Sequence, residues 1–243
     1  MLNLSQQSLS LLETNPTLFQ RLHIEQKESP SNPETRHSQE VGNHFHLLMK
    51  QLLMGLPVEP LLNAYPQMHR WISSLQLAAP EIFSDEPDTF KECDHQRTLI
   101  CEGHLLSVVY NLLLADDSQA EIIEWTTATI PNSSLQLEND WKTRLYLYVL
   151  AESSDYLPEE ISLTYWFVQP DREPVSFRFE YDESLHRMTH SCLTALLNKL
   201  KEWLLAYQKE GKAFPLPKLI QPYSQSPKRK ELLNLDDVEE VQL

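Results

Sequence analysis

Two neighbouring apolar runs in the middle of the chain place the tightest constraint on its fold. They span residues 104–111 and 121–126, with a turn signal, Asp-Asp-Ser, at 116–118. Both runs are short and rich in β-branched and aromatic residues, which predicts two strands of one hairpin. Asn111 and Glu124 can then lie side by side, with Thr126 on the face of Glu124. A carboxylate in an apolar strand is costly without a partner, so the hairpin predicts a site.

Hydrophobic periodicity predicts how helices and strands follow one another along the rest of the chain. Helices are expected over 5–24 with a break at Asn15-Pro16, from Val41 to a stop near Gly55, over 58–78 with a split at Pro66, over 138–153 and over 183–208. Strands are expected over 97–102, 104–115, 120–127, 161–169 and 174–181, and loops over 26–39, 80–96 and 128–137. This order predicts an α/β fold with helices packed on a sheet.

Length and charge limit the classes of function. A chain of 243 residues fits one domain or at most two small ones. A single domain is expected over 1–210, with a polar and disordered tail over 211–243. Its net charge of -15 and only 4 glycines disfavour a surface that tracks phosphates and a glycine-rich phosphate loop. Contact with DNA would need a local basic groove, whereas the acidic balance equally suits a protein that stays apart from anionic surfaces.

The cysteines and the apolar segments bear on location. The chain has an odd number of cysteines, Cys93, Cys101 and Cys192, and they lack CxxC spacing. This favours reduced thiols over disulfides or a cysteine-ligated metal site. The N-terminus lacks the pattern of a signal peptide, and no run of about 18 apolar residues predicts a membrane span. A cytoplasmic protein without membrane contact is therefore expected.

Two further motifs flank the predicted hairpin. Gly42 and His46 lie four apart on the helix before it, and Lys142 and Tyr146 lie four apart on the helix after it. Residues four apart share a helix face. In this order the motifs resemble the PD-(D/E)XK nuclease superfamily, and within it the RecB/Cas4-like branch. The resemblance implies a restriction-endonuclease-like α/β fold, a mixed sheet of about four or five strands flanked by helices.

The resemblance also implies a metal-dependent hydrolase of DNA phosphodiester bonds. His46, Asn111 and Glu124 would be the ligands of Mg²⁺ (or Mn²⁺). Glu124, Thr126 and Lys142 would occupy the catalytic positions, and Tyr146 a substrate-binding position. The opening helix lacks the Cys-Pro of many branch members, so no iron–sulfur cluster is expected.

The departures from the family pattern predict weak or absent cleavage. Asn111 stands where the family has aspartate, Thr126 where it has lysine, and Lys142 where it has glutamine. An amide offers magnesium an oxygen without charge, and threonine cannot stabilise a developing negative charge as lysine can. Lys142 could supply the missing positive charge from the helix.

Each candidate residue also has a structural interpretation. His46 fits an ordinary helical histidine, Asn111 a hydrogen-bonding amide, and Glu124 an outward-facing strand residue. Lys142 fits a solvated helix face, Tyr146 a packing residue and Thr126 an ordinary strand residue. Glu92 lies where RecB-like members carry a further acid, and alternatively is a solvated loop acid. These readings predict a non-catalytic binding or scaffold module, for which a protein partner is possible.

Overall fold

The computed structural model describes residues 1–27, 33–84, 86, 88–170 and 172–217, without the side chains of residues 33–39. Within these ranges no helix is long and apolar enough to cross a membrane.

Helices dominate the first third of the described chain and return after the central strands. They are α1 (Gln6–Thr14), α2 (Pro16–Phe19), α3 (Pro33–Leu53), α4 (Glu59–Ala64), α5 (Pro66–Ala78), α6 (Ser134–Glu138), α7 (Trp141–Glu152) and α8 (Glu183–Glu210). A π-helical turn covers Gln20–Ile24, and 3₁₀ turns cover Pro80–Ile82 and Pro158–Glu160. The longest helix, α8, begins at the N-cap Asp182 and ends at Gly211, whose φ of 65° suits a glycine C-cap.

Within the described part of the chain, six strands form one mixed sheet. They are β1 (Asn3–Leu4), β2 (Phe90–Cys101), β3 (His104–Ala115), β4 (Ala120–Thr126), β5 (Ile161–Phe167) and β6 (Val175–Glu180). The order is β1-β3-β4-β5-β6, and β2 also pairs with β3. The β1–β3 and β4–β5 pairs are parallel and the others antiparallel. The predicted α/β class with a mixed sheet flanked by helices is confirmed, with six strands rather than four or five.

Helices cover both faces of the sheet and create two cores. The first core packs α1, α7 and α8 against one face, and it includes Ala120 and Ile122 of β4. The second core packs α3 and α5 against the other face, and it includes Ile123 and Trp125 of β4. Alternate residues of β4 therefore face different helices, as the period of a strand requires. Because Glu124 lies between Ile123 and Trp125, its side chain faces the first core.

Three predicted loops were partly wrong, and one of them, expected over 128–137, contains most of α6 (Ser134–Glu138). Residues 90–96 belong to β2, because β3 pairs with that strand from Phe90 opposite Ala115 to Cys101 opposite His104. A polar sequence can form this strand because β2 pairs with β3 alone and none of its residues is fully buried. Helix α3 begins at Pro33, inside the loop expected over 26–39, whose residues 28–32 lie outside the described part.

The last described residues extend past the predicted domain boundary at 210. Phe214 is 3% exposed and belongs to the first core. Its backbone N–H donates to the side chain of Gln20, and Thr17 donates to the carbonyl of Pro215. The segment 212–217 thus ties the N-terminal helices to the end of α8. The tail predicted beyond it, from 218, lies outside the described residues.

Candidate functional site

The predicted hairpin forms, and its two strands separate at the residues singled out in it. Strands β3 and β4 pair from Ala115 opposite Ala120 to Leu112 opposite Ile123. One step further, the backbone N–H of Asn111 donates to Glu124 Oε1 at 2.9 Å, and its side-chain Nδ2 donates to the Trp125 carbonyl at 3.1 Å. Side-chain hydrogen bonds therefore replace the ladder where the strands diverge.

The side chain of Glu124 is buried, and a cation lies next to it. It is 1% exposed, and its Oε2 lies 2.6 Å from Nζ of Lys142, a partly exposed residue in the first turn of α7. This contact is an ion pair, and Oε2 has no hydrogen-bond partner among the described residues. A buried carboxylate is costly unless a cation balances it, and Lys142 provides that balance.

Aromatic rings surround the ammonium of Lys142. Its Nζ lies 5.5 Å from the centroid of the Tyr146 ring and 5.6 Å from that of Tyr165. A cation over an aromatic face is attracted to the ring, which adds to the pull of Glu124. Burial and the charge of Glu124 raise the pKa of Tyr146 and of Tyr165, so both phenols stay protonated at neutral pH.

A second charged group lies between α3 and β2. Asp94 Oδ1 lies 2.8 Å from His46 Nε2, and its Oδ2 accepts from Lys50 Nζ at 2.6 Å. His46 and Lys50 are four apart on α3 and so present one face to Asp94. Burial acts to raise the pKa of Asp94, but the hydrogen bonds from Lys50 and His46 outweigh it and hold that pKa below its usual value.

Asp94 lies opposite Asn111, and both strands change face there. Cys93 pairs with Leu112 and His95 with Tyr110, which leaves Asp94 and Asn111 facing each other outside the ladder. Tyr110 packs in the first core, but Leu112, two residues on, packs in the second. Residues two apart on a regular strand share a face. The φ of 50° at Asp94, unusual for a residue other than glycine, accompanies this change.

His46 and Glu124 therefore reach the sheet from opposite sides. The His46 ring lies 5.9 Å from that of Trp125, in the second core, whereas Glu124 faces α7 in the first core. Among the described residues, no three or more His, Cys, Asp and Glu side chains come together as a metal site would require. The structure brings Glu124, Asn111 and Lys142 together and gives His46 a different partner, Asp94.

The side chains of the remaining predicted site residues make contacts with nearby groups. Thr126 Oγ1 accepts the backbone N–H of Ala128 at 3.1 Å. Tyr146 is 3% exposed, and its hydroxyl donates to the Val109 carbonyl at 2.9 Å. Glu92, expected in a loop, lies on β2 and pairs with the His95 ring at 2.6 Å.

Comparisons with known proteins agree with this architecture. The family model described as the PD-(D/E)XK nuclease superfamily matches residues 3–218. The chain belongs to the PD-(D/E)XK nuclease superfamily. Among curated proteins, no match was found.

Two solved structures resemble the chain at very low sequence identity, and only the first is similar enough to bear on the fold. A crystal structure named "Putative exonuclease" from Eubacterium rectale is 6% identical, with a TM-score of 0.54, over 92% of this chain and 89% of that chain. A crystal structure of SSO0001 is 11% identical, with a TM-score of 0.40, over 88% and 89% of the two chains. At these identities the likeness to the exonuclease concerns the fold alone.

PD-(D/E)XK nucleases generally depend on a divalent metal, but the residues predicted to hold one do not fit it as they are arranged here. Glu124 has an ammonium at one oxygen and a backbone N–H at the other. The Nε2 of His46 already contacts Asp94. Magnesium requires several free oxygens around one point. In this arrangement Lys142 supplies the positive charge next to Glu124.

Two residues of this region, Asp94 and Lys50, were missed from the sequence. Lys50 had a signal, because it lies four residues after His46 on the same helix. Asp94 lies in a segment that the sequence analysis predicts to be a loop. Its contact with His46 accompanies a left-handed backbone conformation at Asp94. Aspartate adopts that conformation more readily than most residues, but this preference is too weak to predict a site.

Proposed function

We propose that this PD-(D/E)XK protein has an eroded active site and cleaves DNA phosphodiester bonds weakly or not at all. The observation that carries this proposal is the Lys142 ammonium, 2.6 Å from the carboxylate of Glu124, which is 1% exposed. A cation held there cancels the charge that would attract Mg²⁺ or Mn²⁺. Thr126, at the position of the family lysine, cannot compensate because its side chain is neutral.

Glu124 and Lys142 are the residues that would carry any remaining activity. Lys142 holds a positive charge next to Glu124 and is partly exposed, so its ammonium can meet a phosphate oxygen. Tyr146 is enclosed and bonded to the backbone of β3, which favours packing over substrate contact. His46 and Asn111 would have to give up their present partners to serve as ligands.

A non-catalytic binding or scaffold module is the second candidate, and the hydrogen bonds of Asn111 favour it. Its Nδ2 donates to the Trp125 carbonyl and holds the diverging strands together. A carboxylate at this position has no hydrogen to donate. The amide therefore suits the fold better than the acid that metal chemistry requires. In this role the protein would bind DNA through a local groove, or a protein partner.

Calorimetry with Mn²⁺ and Mg²⁺, together with nicking assays on single- and double-stranded DNA, tests the proposal. The wild-type chain, Glu124→Gln and Lys142→Ala are compared, with Lys201→Ala at an exposed position of α8 as the matched control. We expect no Glu124-dependent metal binding and little or no cleavage by the wild type. Metal-dependent cleavage that both site variants abolish would contradict the proposal.

The Lys142→Ala variant gives a second, independent result. Removal of the ammonium leaves Glu124 as a buried anion without its cation, so Mn²⁺ binding is expected to appear and to raise the stability of that variant. The Lys142→Ala/Glu124→Gln double variant should lose this gain. A folded Lys142→Ala protein without any affinity for Mn²⁺ would show that Lys142 is not what keeps the metal away.

A further inference from the structure

An open pocket lies between α5 and the loop that joins β5 to β6. The space inside it that the centre of a water molecule can reach is about 290 Å³. A single water needs roughly 10–15 Å³ by the same measure, so a ligand of several atoms fits together with its hydration. The pocket is lined by Arg70 and Ser74 of α5 and by Gln169, Arg172 and Glu173 of the loop.

Two arginines bring positive charge to this pocket. Arg70 and Arg172 are both exposed, and neither forms an ion pair or a hydrogen bond with a described residue, although Glu173 lines the same space. Arg178 and Arg187, in contrast, each pair with a carboxylate. Two guanidinium groups at one pocket repel each other, so an anion bound between them lowers the free energy. This positive site is unusual in a chain whose net charge is -15.

The pocket adjoins the carboxyl ends of the parallel strands β4 and β5. Gln169 Nε2 donates to the Ala128 carbonyl at 2.9 Å, and the backbone N–H of Ala128 donates to Thr126 Oγ1 at the end of β4. In open α/β sheets, ligands bind outside the carboxyl ends of parallel strands. Glu124 lies two residues before the end of β4, roughly 7 Å along the strand. An extended ligand can therefore contact both the pocket and the candidate site.

The charge and shape of the pocket fit a phosphodiester. A guanidinium presents parallel N–H donors that match two oxygens of a phosphate. Two arginines and one glutamate give the lining a net charge of +1. A phosphodiester in a nucleic-acid backbone carries one negative charge, whereas a terminal phosphate carries about two. We propose that Arg70 and Arg172 bind a backbone phosphate of a DNA strand that passes the candidate site.

This inference rests on the proposed function only in taking DNA as the ligand, and it does not require cleavage. Arg70 and Arg172 belong to α5 and the β5–β6 loop, whereas Glu124 and Lys142 belong to β4 and α7. Binding at the pocket therefore persists in a protein whose active site is eroded. Since the acidic surface elsewhere repels DNA, the contact with these two arginines decides whether a strand binds.

Fluorescence anisotropy of a short labelled oligothymidylate, titrated with the full chain in EDTA at several salt concentrations, tests the proposal. Arg70→Gln/Arg172→Gln removes both guanidinium groups, and Arg21→Gln/Arg187→Gln, at exposed positions of other elements, is the matched control. We expect the wild type and the control to bind alike and the pocket variant to bind at least about tenfold more weakly. The slope of log K against log salt should fall by about 0.7 for each arginine removed.

Three results would overturn the assignment. The first is equal affinity of the wild type and the pocket variant, with thermal unfolding showing that both are folded. The second is binding that requires a 5′-phosphate on the oligonucleotide, because a terminal phosphate and not the backbone would then be the ligand. The third is no binding by the wild type at low salt, which leaves the proposed erosion of the active site untouched. Efficient cleavage by the wild type would contradict the proposed function, and binding lost in the pocket variant would still support this site.

Discussion

Among single residues, Asp94 and Asn111 account for most of the contacts that connect the strands of the site to their neighbours. Asp94 and Asn111 face each other where β2 and β3 leave the regular ladder. The carboxylate of Asp94 contacts His46 on α3, and the side-chain amide of Asn111 donates a hydrogen bond to a carbonyl of β4. An amide can donate to a carbonyl whereas a carboxylate cannot. Asn111 is thus a structural link between the two strands.

Replacement of Asn111 by aspartate tests this link. Asn111→Asp removes the hydrogen bond to the Trp125 carbonyl and sets a carboxylate against that oxygen and close to Glu124. We expect the free energy of unfolding to fall by about 1–3 kcal/mol, measured by urea denaturation. Asn139→Asp is the control, since Asn139 also donates to a carbonyl but is exposed. An Asn111→Asp protein as stable as the wild type would contradict the structural role.

The lowered pKa of Asp94 predicts a dependence of stability on acid. A carboxylate whose folded-state pKa is depressed stabilises the protein above its unfolded pKa, about 3.9, and loses this effect as pH falls through the folded value. Asp94→Asn keeps the shape and tolerates the left-handed conformation. We expect the wild type to be more stable by up to about 1 kcal/mol near pH 6 and the difference to vanish near pH 2.

Unfolding curves of both proteins from acid to neutral pH measure this effect. Asp155→Asn, a change at an exposed position, should produce no comparable trend. A constant difference between wild type and Asp94→Asn at every pH would show that the His46 and Lys50 contacts do not stabilise the ionised carboxylate.

At the scale of elements, the contact between α7 and the β3–β4 divergence defines the candidate site. The side chain of Asp140 caps α7, and Lys142 in its first turn reaches Glu124. Tyr146, one turn later, bonds to the backbone of β3. The Tyr110 hydroxyl of β3 also donates to the Tyr146 carbonyl. In the described part of the chain, one ion pair and two hydrogen bonds therefore join helix and hairpin next to the position where the strands separate.

A double-mutant cycle at this contact measures the ion pair. Lys142→Met leaves the buried Glu124 without a cation, and we expect a loss of about 3 kcal/mol in the free energy of unfolding. Glu124→Gln in addition should recover a large part of this loss, because the neutral amide needs no counter-charge. Additive losses in the double variant would mean that the two side chains do not interact.

In the molecule as a whole, the N-terminal helices and the last described segment both pack into the first core and contact each other there. Phe214 packs beside Trp203 and Tyr207 of α8, with ring centroids 5.6 and 6.5 Å away. Its backbone bonds to Gln20, which is 4% exposed. The segment 212–217 thus holds the N-terminal helices against α8, in a chain without a disulfide in its described part.

Phe214→Ala tests the contribution of this segment to stability. Loss of a buried aromatic ring leaves a cavity and should lower the free energy of unfolding by about 3–5 kcal/mol in chemical denaturation. Leu216→Ala is the control, because Leu216 is 79% exposed. Equal stabilities of the two variants would mean that the segment contributes little to the core.

Prediction from the sequence succeeded where the local pattern decides the structure. The hairpin, the helix break at Asn15-Pro16 and the split at Pro66 all form as expected, because turn signals and proline act over a few residues. Prediction failed for residues 90–96, where a polar sequence forms a strand because β3 offers a partner. It also missed Asp94, since a positive φ has no reliable signal in one sequence.

The α/β class and the order of the main helices and strands follow from sequence alone, because periodicity, caps and turn residues act locally. Which charged side chains meet depends on how distant elements pack against one another. The change of face at Asp94 and Asn111 puts His46 on one side of the sheet with Asp94, and the regular strand β4 puts Glu124 on the other with Lys142. Such pairings depend on backbone angles and helix packing far apart in the chain, which a linear pattern does not encode.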